Sequence, residues 1–136
     1  MNLQNKTITT GFIIAGLMNS SVLIFSRFFT NTTIPEFDAQ VMSNFGLLMI
    51  FIWGLAYISV SKKYKNVKYL IAIFSIEKFI YGSVWINWIR NNSISDVFEK
   101  DVMAGIFYSI YGINDWLFFL FFTYVFIGLI KNKNSA

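Results

Sequence analysis

Cysteine and histidine are both absent from this 136-residue chain, and proline occurs once. Without cysteine there is no disulfide framework, thiol chemistry or iron–sulfur cluster. The lack of histidine removes the commonest metal ligand and the commonest general base. Charge is scarce too: 13% of residues are Asp, Glu, Lys or Arg, against about 25% in soluble domains. That shortfall excludes a disordered chain, a nucleic-acid-binding module and an ordinary soluble enzyme. No phosphate-cradling glycine loop and no metal-ligand spacing occurs, so no cofactor is expected.

What the chain has instead is apolar bulk. Hydrophobic residues make up 56% and aromatics 20%, and the mean hydropathy is +0.57. Four apolar stretches, at about residues 8–28, 41–61, 67–89 and 102–130, are each bounded by polar residues. About 20 residues at ~1.5 Å each cross a hydrocarbon layer of ~30 Å, and backbone in lipid must satisfy its own hydrogen bonds. The expectation is therefore an all-α integral membrane protein, a single antiparallel bundle of four transmembrane helices. The first stretch is too long for a signal peptide and no small-x-small site follows it, so it is read as retained.

Charge placement gives an orientation. Lys6, Lys62, Lys63, Lys65, Lys68, Lys131 and Lys133 fall on one side of the spans with no acid. Arg27, Arg90 and Lys100 fall on the other, with Glu36, Asp38, Asp96, Glu99 and Asp101. This bias predicts both termini in the cytoplasm, with a bacterial inner (plasma) membrane as the expected location. In the loop at residues 30–40, Pro35 followed by Glu36 and Asp38 suits a helix N-terminus.

The informative residues lie mid-span: Asn19 in the first, Glu77 and Lys78 in the third, Asn114 and Asp115 in the fourth. A charge at that depth costs roughly 2.5–3.5 kcal/mol on insertion scales, so these groups must share a site, be neutralised or face water. Neighbouring helix residues do not face each other, which leaves Asp115 as the partner for Lys78. Glu77 is then without a counter-ion and becomes the candidate to hold a proton, with Asn19 or a nearby tyrosine as its hydrogen-bond partner.

Tyr81 shares the Glu77 stripe, and Tyr108 and Tyr111 share that of Asp115. All three tyrosines join the candidate ligand- and proton-binding residues. Gly112, Asn114 and Asp115 are poor helix formers, so the fourth span is expected to kink there. Between Phe107 and Phe126 half the residues are aromatic, which suggests an aromatic-rich cavity. Arg27 and Trp85 are candidate gate or entrance residues. Small residues give the first two spans close-packing faces: Gly16 and Ser20 on one, Ser43, Gly54 and Ser61 on the other.

The function expected from this pattern is binding of a small ligand or cation mid-membrane, in proton-coupled or facilitated transport. Four short helices seldom enclose a pathway alone, so a homo-oligomer is expected. Two other readings fit the residues: a membrane-embedded binder or isomerase of a lipophilic, sterol-like or amine ligand, and an accessory subunit of a larger membrane complex.

Overall fold

A computed structural model describes the backbone of residues 3–134 and the side chains of residues 4–131. The side chain of Lys133, counted above, lies outside the described residues. Every element among them is helical: α1 (Leu3–Ser20), α2 (Val22–Phe25), α3 (Thr33–Phe37), α4 (Asn44–Val60), a 3-10 turn (Tyr64–Asn66), α5 (Lys68–Asn91), α6 (Ile94–Lys100) and α7 (Val102–Asn134). Three helical segments, Gln4–Phe25, Lys68–Asn91 and Val102–Lys131, are long and apolar enough to cross a membrane. Asn44–Val60 is a shorter apolar helix. Its start is set by Ser43, whose hydroxyl caps the helix by accepting from the Gly46 N–H at 3.1 Å.

The long helices pack as two pairs, α1 on α4 and α5 on α7, which meet each other more loosely. Each pair is built on glycine. In the first, Gly16 and Gly54 bring the backbones together: a Cβ on Gly54 would lie 2.8 Å from the Gly16 carbonyl oxygen. The small-residue faces expected on the first two spans meet here. In the second, the Trp116 ring covers Gly82 and its Nε1–H donates to the Gly82 carbonyl at 3.1 Å. Trp85 covers Gly112 in the same way and donates to the Tyr108 carbonyl at 2.8 Å. Gly112 thus makes room for a tryptophan, and α7 continues as helix through Gly112–Asp115.

Two buried clusters fill the bundle. One, around Ile34, Trp88, Val97 and Tyr108, lies toward the end carrying the acids. The other, around Phe12, Tyr57, Phe74 and Phe122, lies toward the end carrying the lysines. Most aromatics of α7 serve this packing, as in the Phe12–Phe122 and Phe74–Phe122 contacts at 5.2 and 5.5 Å between ring centroids. Outward-facing positions at the same heights are apolar, including Leu17, Ile76, Ile113 and Leu120, each more than half exposed. Charge in the middle of the bundle is inside and apolar surface is outside, the arrangement a lipid environment selects.

At the acidic end one carboxylate, Asp101, holds a strained turn in place. After α2 the chain turns through three consecutive left-handed residues, Arg27, Phe28 and Phe29, at φ 49°, 53° and 66°. Such backbone costs of order 1–3 kcal/mol per residue and persists only when its surroundings hold it. Asp101 does so, accepting from Arg27 at 2.8 Å and from the Asn31 amide at 3.0 Å, while the Ala104 N–H donates to it at 2.8 Å and caps α7. Desolvation pushes the Asp101 carboxyl up, but these three donors outweigh it and hold it below its usual value. A depressed acid contributes stability above the usual carboxylate range of about 4, lost as pH falls through its lowered value. Asp101→Asn should therefore be less stable than wild type at neutral pH, with the difference closing on acidification. Denaturant titration of the full chain in micelles at several pH values measures this; a gap that does not change with pH would contradict it.

Candidate functional site

Between the two apolar clusters lies a layer of polar side chains contributed by both helix pairs. Lys78 on α5 is 1% exposed, and its Nζ donates to Asp115 Oδ1 on α7 at 2.6 Å. The ion pair expected from the sequence is therefore present. The same ammonium donates to Asn19 Oδ1 on α1 at 2.8 Å and lies 5.4 Å from the Tyr57 ring centroid on α4. Asn19 completes its own bonding by donating Nδ2–H to the Ile50 carbonyl of α4 at 3.0 Å. One cation therefore ties all four long helices to a single point.

Glu77, one residue before Lys78, turns toward α4, where the Tyr57 hydroxyl donates to its Oε2. Asn19 is taken up by Lys78, so a tyrosine and not Asn19 is the partner of Glu77. The other carboxyl oxygen, Oε1, is buried without a hydrogen-bond partner, as is the Tyr111 hydroxyl. Unpaired polar atoms are rare in a packed interior and call for an explanation.

The two residues that carry these groups, Glu77 and Tyr111, line one cavity of ≈ 30 Å³ at the seam between α1–α2 and α7. Asn19, Lys78, Tyr81, Asn114 and Asp115 line it as well, with Phe25 and Phe107 among the apolar walls. Seven of the residues singled out in the sequence thus meet in one place. A space of that size holds about one water molecule, and nothing of sterol dimensions fits in it.

Three of the expected residues are placed elsewhere. Tyr108 shares the Asp115 stripe but sits about 10 Å nearer the acidic end, seven residues at ~1.5 Å. It stacks on Trp88 with centroids 4.2 Å apart and donates to the Ile34 carbonyl at 2.7 Å. Trp85 is the wedge over Gly112 described above and does not line the cavity. Arg27 is bound to Asp101 in the left-handed turn, its side chain 56% exposed.

Tyr57 is the site residue that sequence reasoning missed. A signal for it exists: it stands three residues after Gly54 and four before Ser61, on the small-residue face of α4.

No family model, no curated protein and no solved structure matches this chain. The fold and site define an all-helical chain with membrane-length helices and a buried ionic network at the centre.

Removing one member of that network leaves the other charge buried and uncompensated, which typically costs 3–5 kcal/mol, whereas replacing both by apolar residues is often neutral. Asp115→Leu is thus expected to destabilise strongly, and Lys78→Met/Asp115→Leu together to recover most of the loss. A double-mutant cycle read by reversible denaturation in micelles measures the coupling; additive losses would show that the two residues do not act as a pair.

Proposed function

We propose that the chain is a four-span membrane protein that binds a proton or small cation at Glu77 and uses that site in proton-coupled or facilitated transport, as a homo-oligomer. The fourth span is α4. Its 17 residues carry no charge and reach about 25 Å, near the lower limit for crossing, and it lies along α1, which is long enough to cross. With lysines alone at one end of the helices, the orientation that suits the positive-inside bias has both termini in the cytoplasm of a bacterial inner membrane.

One observation carries the functional reading. The buried layer contains two carboxyls and a single ammonium. Lys78 neutralises Asp115 and is hydrogen-bonded to Asn19, which leaves the Glu77 carboxyl with a phenol for company and one oxygen unpaired. The layer is short of one positive charge when both acids are ionised. A proton supplies it with no increase in volume, which suits a cavity of ≈ 30 Å³. The orphan Tyr111 hydroxyl on the same cavity provides a second anchor for a water through which that proton exchanges. The small size of this cavity favours the ion-binding reading over an enclosed sterol-like ligand.

The test is proton flux into vesicles carrying an internal pH dye, after reconstitution of the full chain and imposition of a pH gradient. Wild type should dissipate the gradient faster than protein-free vesicles, Glu77→Gln should fall to that background, and Tyr111→Phe should be slowed. Equal rates for wild type and Glu77→Gln would overturn the reading.

A further inference from the structure

Glu77 borders more than the small cavity. On its other side it lines a groove of ≈ 280 Å³ between α4 and α5, walled by Trp53, Ile73, Ile76, Ile80 and Tyr81. The three isoleucines are about half exposed, so the groove opens on the apolar flank of the bundle. Glu77 is the one ionisable acid in its wall. A single acidic residue thus lines both a water-sized polar cavity and an outward-facing apolar groove.

We propose that this groove is a lateral site for a monovalent amphiphilic cation of the alkylammonium class, which takes the place of the proton on Glu77. The inference rests on the reading of Glu77 as a proton site and names a substrate class for it. Charge decides the head group. With Lys78 committed to Asp115 and Asn19, an ionised Glu77 lacks one positive charge. An anion would be repelled, and a neutral amphiphile would leave the deficit in place.

A bare metal ion would find one carboxyl and one phenol in the groove, too few oxygens for a hard cation. No cluster of acids able to hold one occurs among the described residues. Trp53 and Tyr81 in the same wall supply aromatic rings of the kind that attract an ammonium. The body of the ligand follows from the rest of the wall, which is isoleucine.

The exchange balances: the Glu77 O–H bond breaks, its proton leaves through the water-sized cavity, and the ammonium forms an ion pair with the carboxylate. No electrons move, and the layer keeps one added positive charge before and after. Proton and ammonium exclude each other on one carboxyl.

The experiment uses the full chain in lipid nanodiscs and dicyclohexylcarbodiimide, an apolar reagent for carboxyls in lipid, with labelling of Glu77 followed by mass spectrometry. Decyltrimethylammonium is the probe, with decanol and decyl sulfate as neutral and anionic counterparts. Glu77 should be labelled, and the ammonium at about four times its Kd should slow labelling about fivefold, while the counterparts leave the rate unchanged. Ile76→Trp, which fills the groove from its lipid-facing wall, should abolish the protection.

Absence of labelling, equal protection by decanol, or undiminished protection in Ile76→Trp would each overturn the lateral site. The infrared C=O band of the protonated Glu77 acid, identified by its loss in Glu77→Gln, separates this inference from the one beneath it. A band that titrates with pH but ignores decyltrimethylammonium overturns the lateral site and leaves the proton reading standing. A band that does neither overturns both.

Discussion

The Lys78 ammonium is the constraint on which this bundle depends. It is the only cation in the buried layer, and its two hydrogen bonds go to different helix pairs, to Asn19 at 2.8 Å and to Asp115 at 2.6 Å. Within each pair, glycine contacts and tryptophan wedges supply close packing of the kind that works without a hydrophobic driving force. Between the pairs packing is thinner, and the polar layer does the joining. Tyr57 to Glu77 adds a second tie across the same boundary.

This division explains why the ion pair and the spare acid have different consequences. Lys78 and Asp115 satisfy each other, and a satisfied buried pair sets register at little net gain in stability. Glu77 has no such partner, and it sits where the boundary between the pairs leaves space on both sides, a small cavity toward α7 and a groove toward α4. Asp115 lines the same cavity but is engaged by Lys78, whereas Glu77 keeps one oxygen without a hydrogen-bond partner. The chemistry proposed for this chain follows from that placement, since no redox group or nucleophile–base pair is required for it.

Much of this arrangement was legible in the sequence, because apolar surroundings leave few options for charged residues. Lys78 had one possible partner in another span, and it found it. Gly16 and Gly54 marked close-packing faces for the same reason, since small side chains facing lipid have no purpose that a leucine would not serve better, and which faces pair came only with the fold. Periodicity draws Tyr108 into the site, because it places residues on a face but says nothing of how far along the helix they lie.

Arg27 is a gate candidate by its place near the end of the first apolar stretch, yet the chain leaves the helix there through three left-handed residues that no local motif announces. The short helix α6 was missed within a polar loop, since seven residues give periodicity too little length to register. Gly112 was read as a weak point, and its actual role, making room for Trp85, depends on a residue of another helix.

One ammonium bridges the two helix pairs within the apolar middle. Magic-angle-spinning NMR on the chain in bilayers, with 15N on lysine side chains and 13C on Asp and Asn side chains, measures this directly. Dipolar contacts are expected from the Lys78 Nζ to the side-chain carbonyl carbons of both Asp115 and Asn19, and these should persist when the lysines at the helix ends are exchanged with solvent deuterons. A Lys78 Nζ without contact to either residue, exchanging as fast as Lys62 or Lys63, would contradict this bridge.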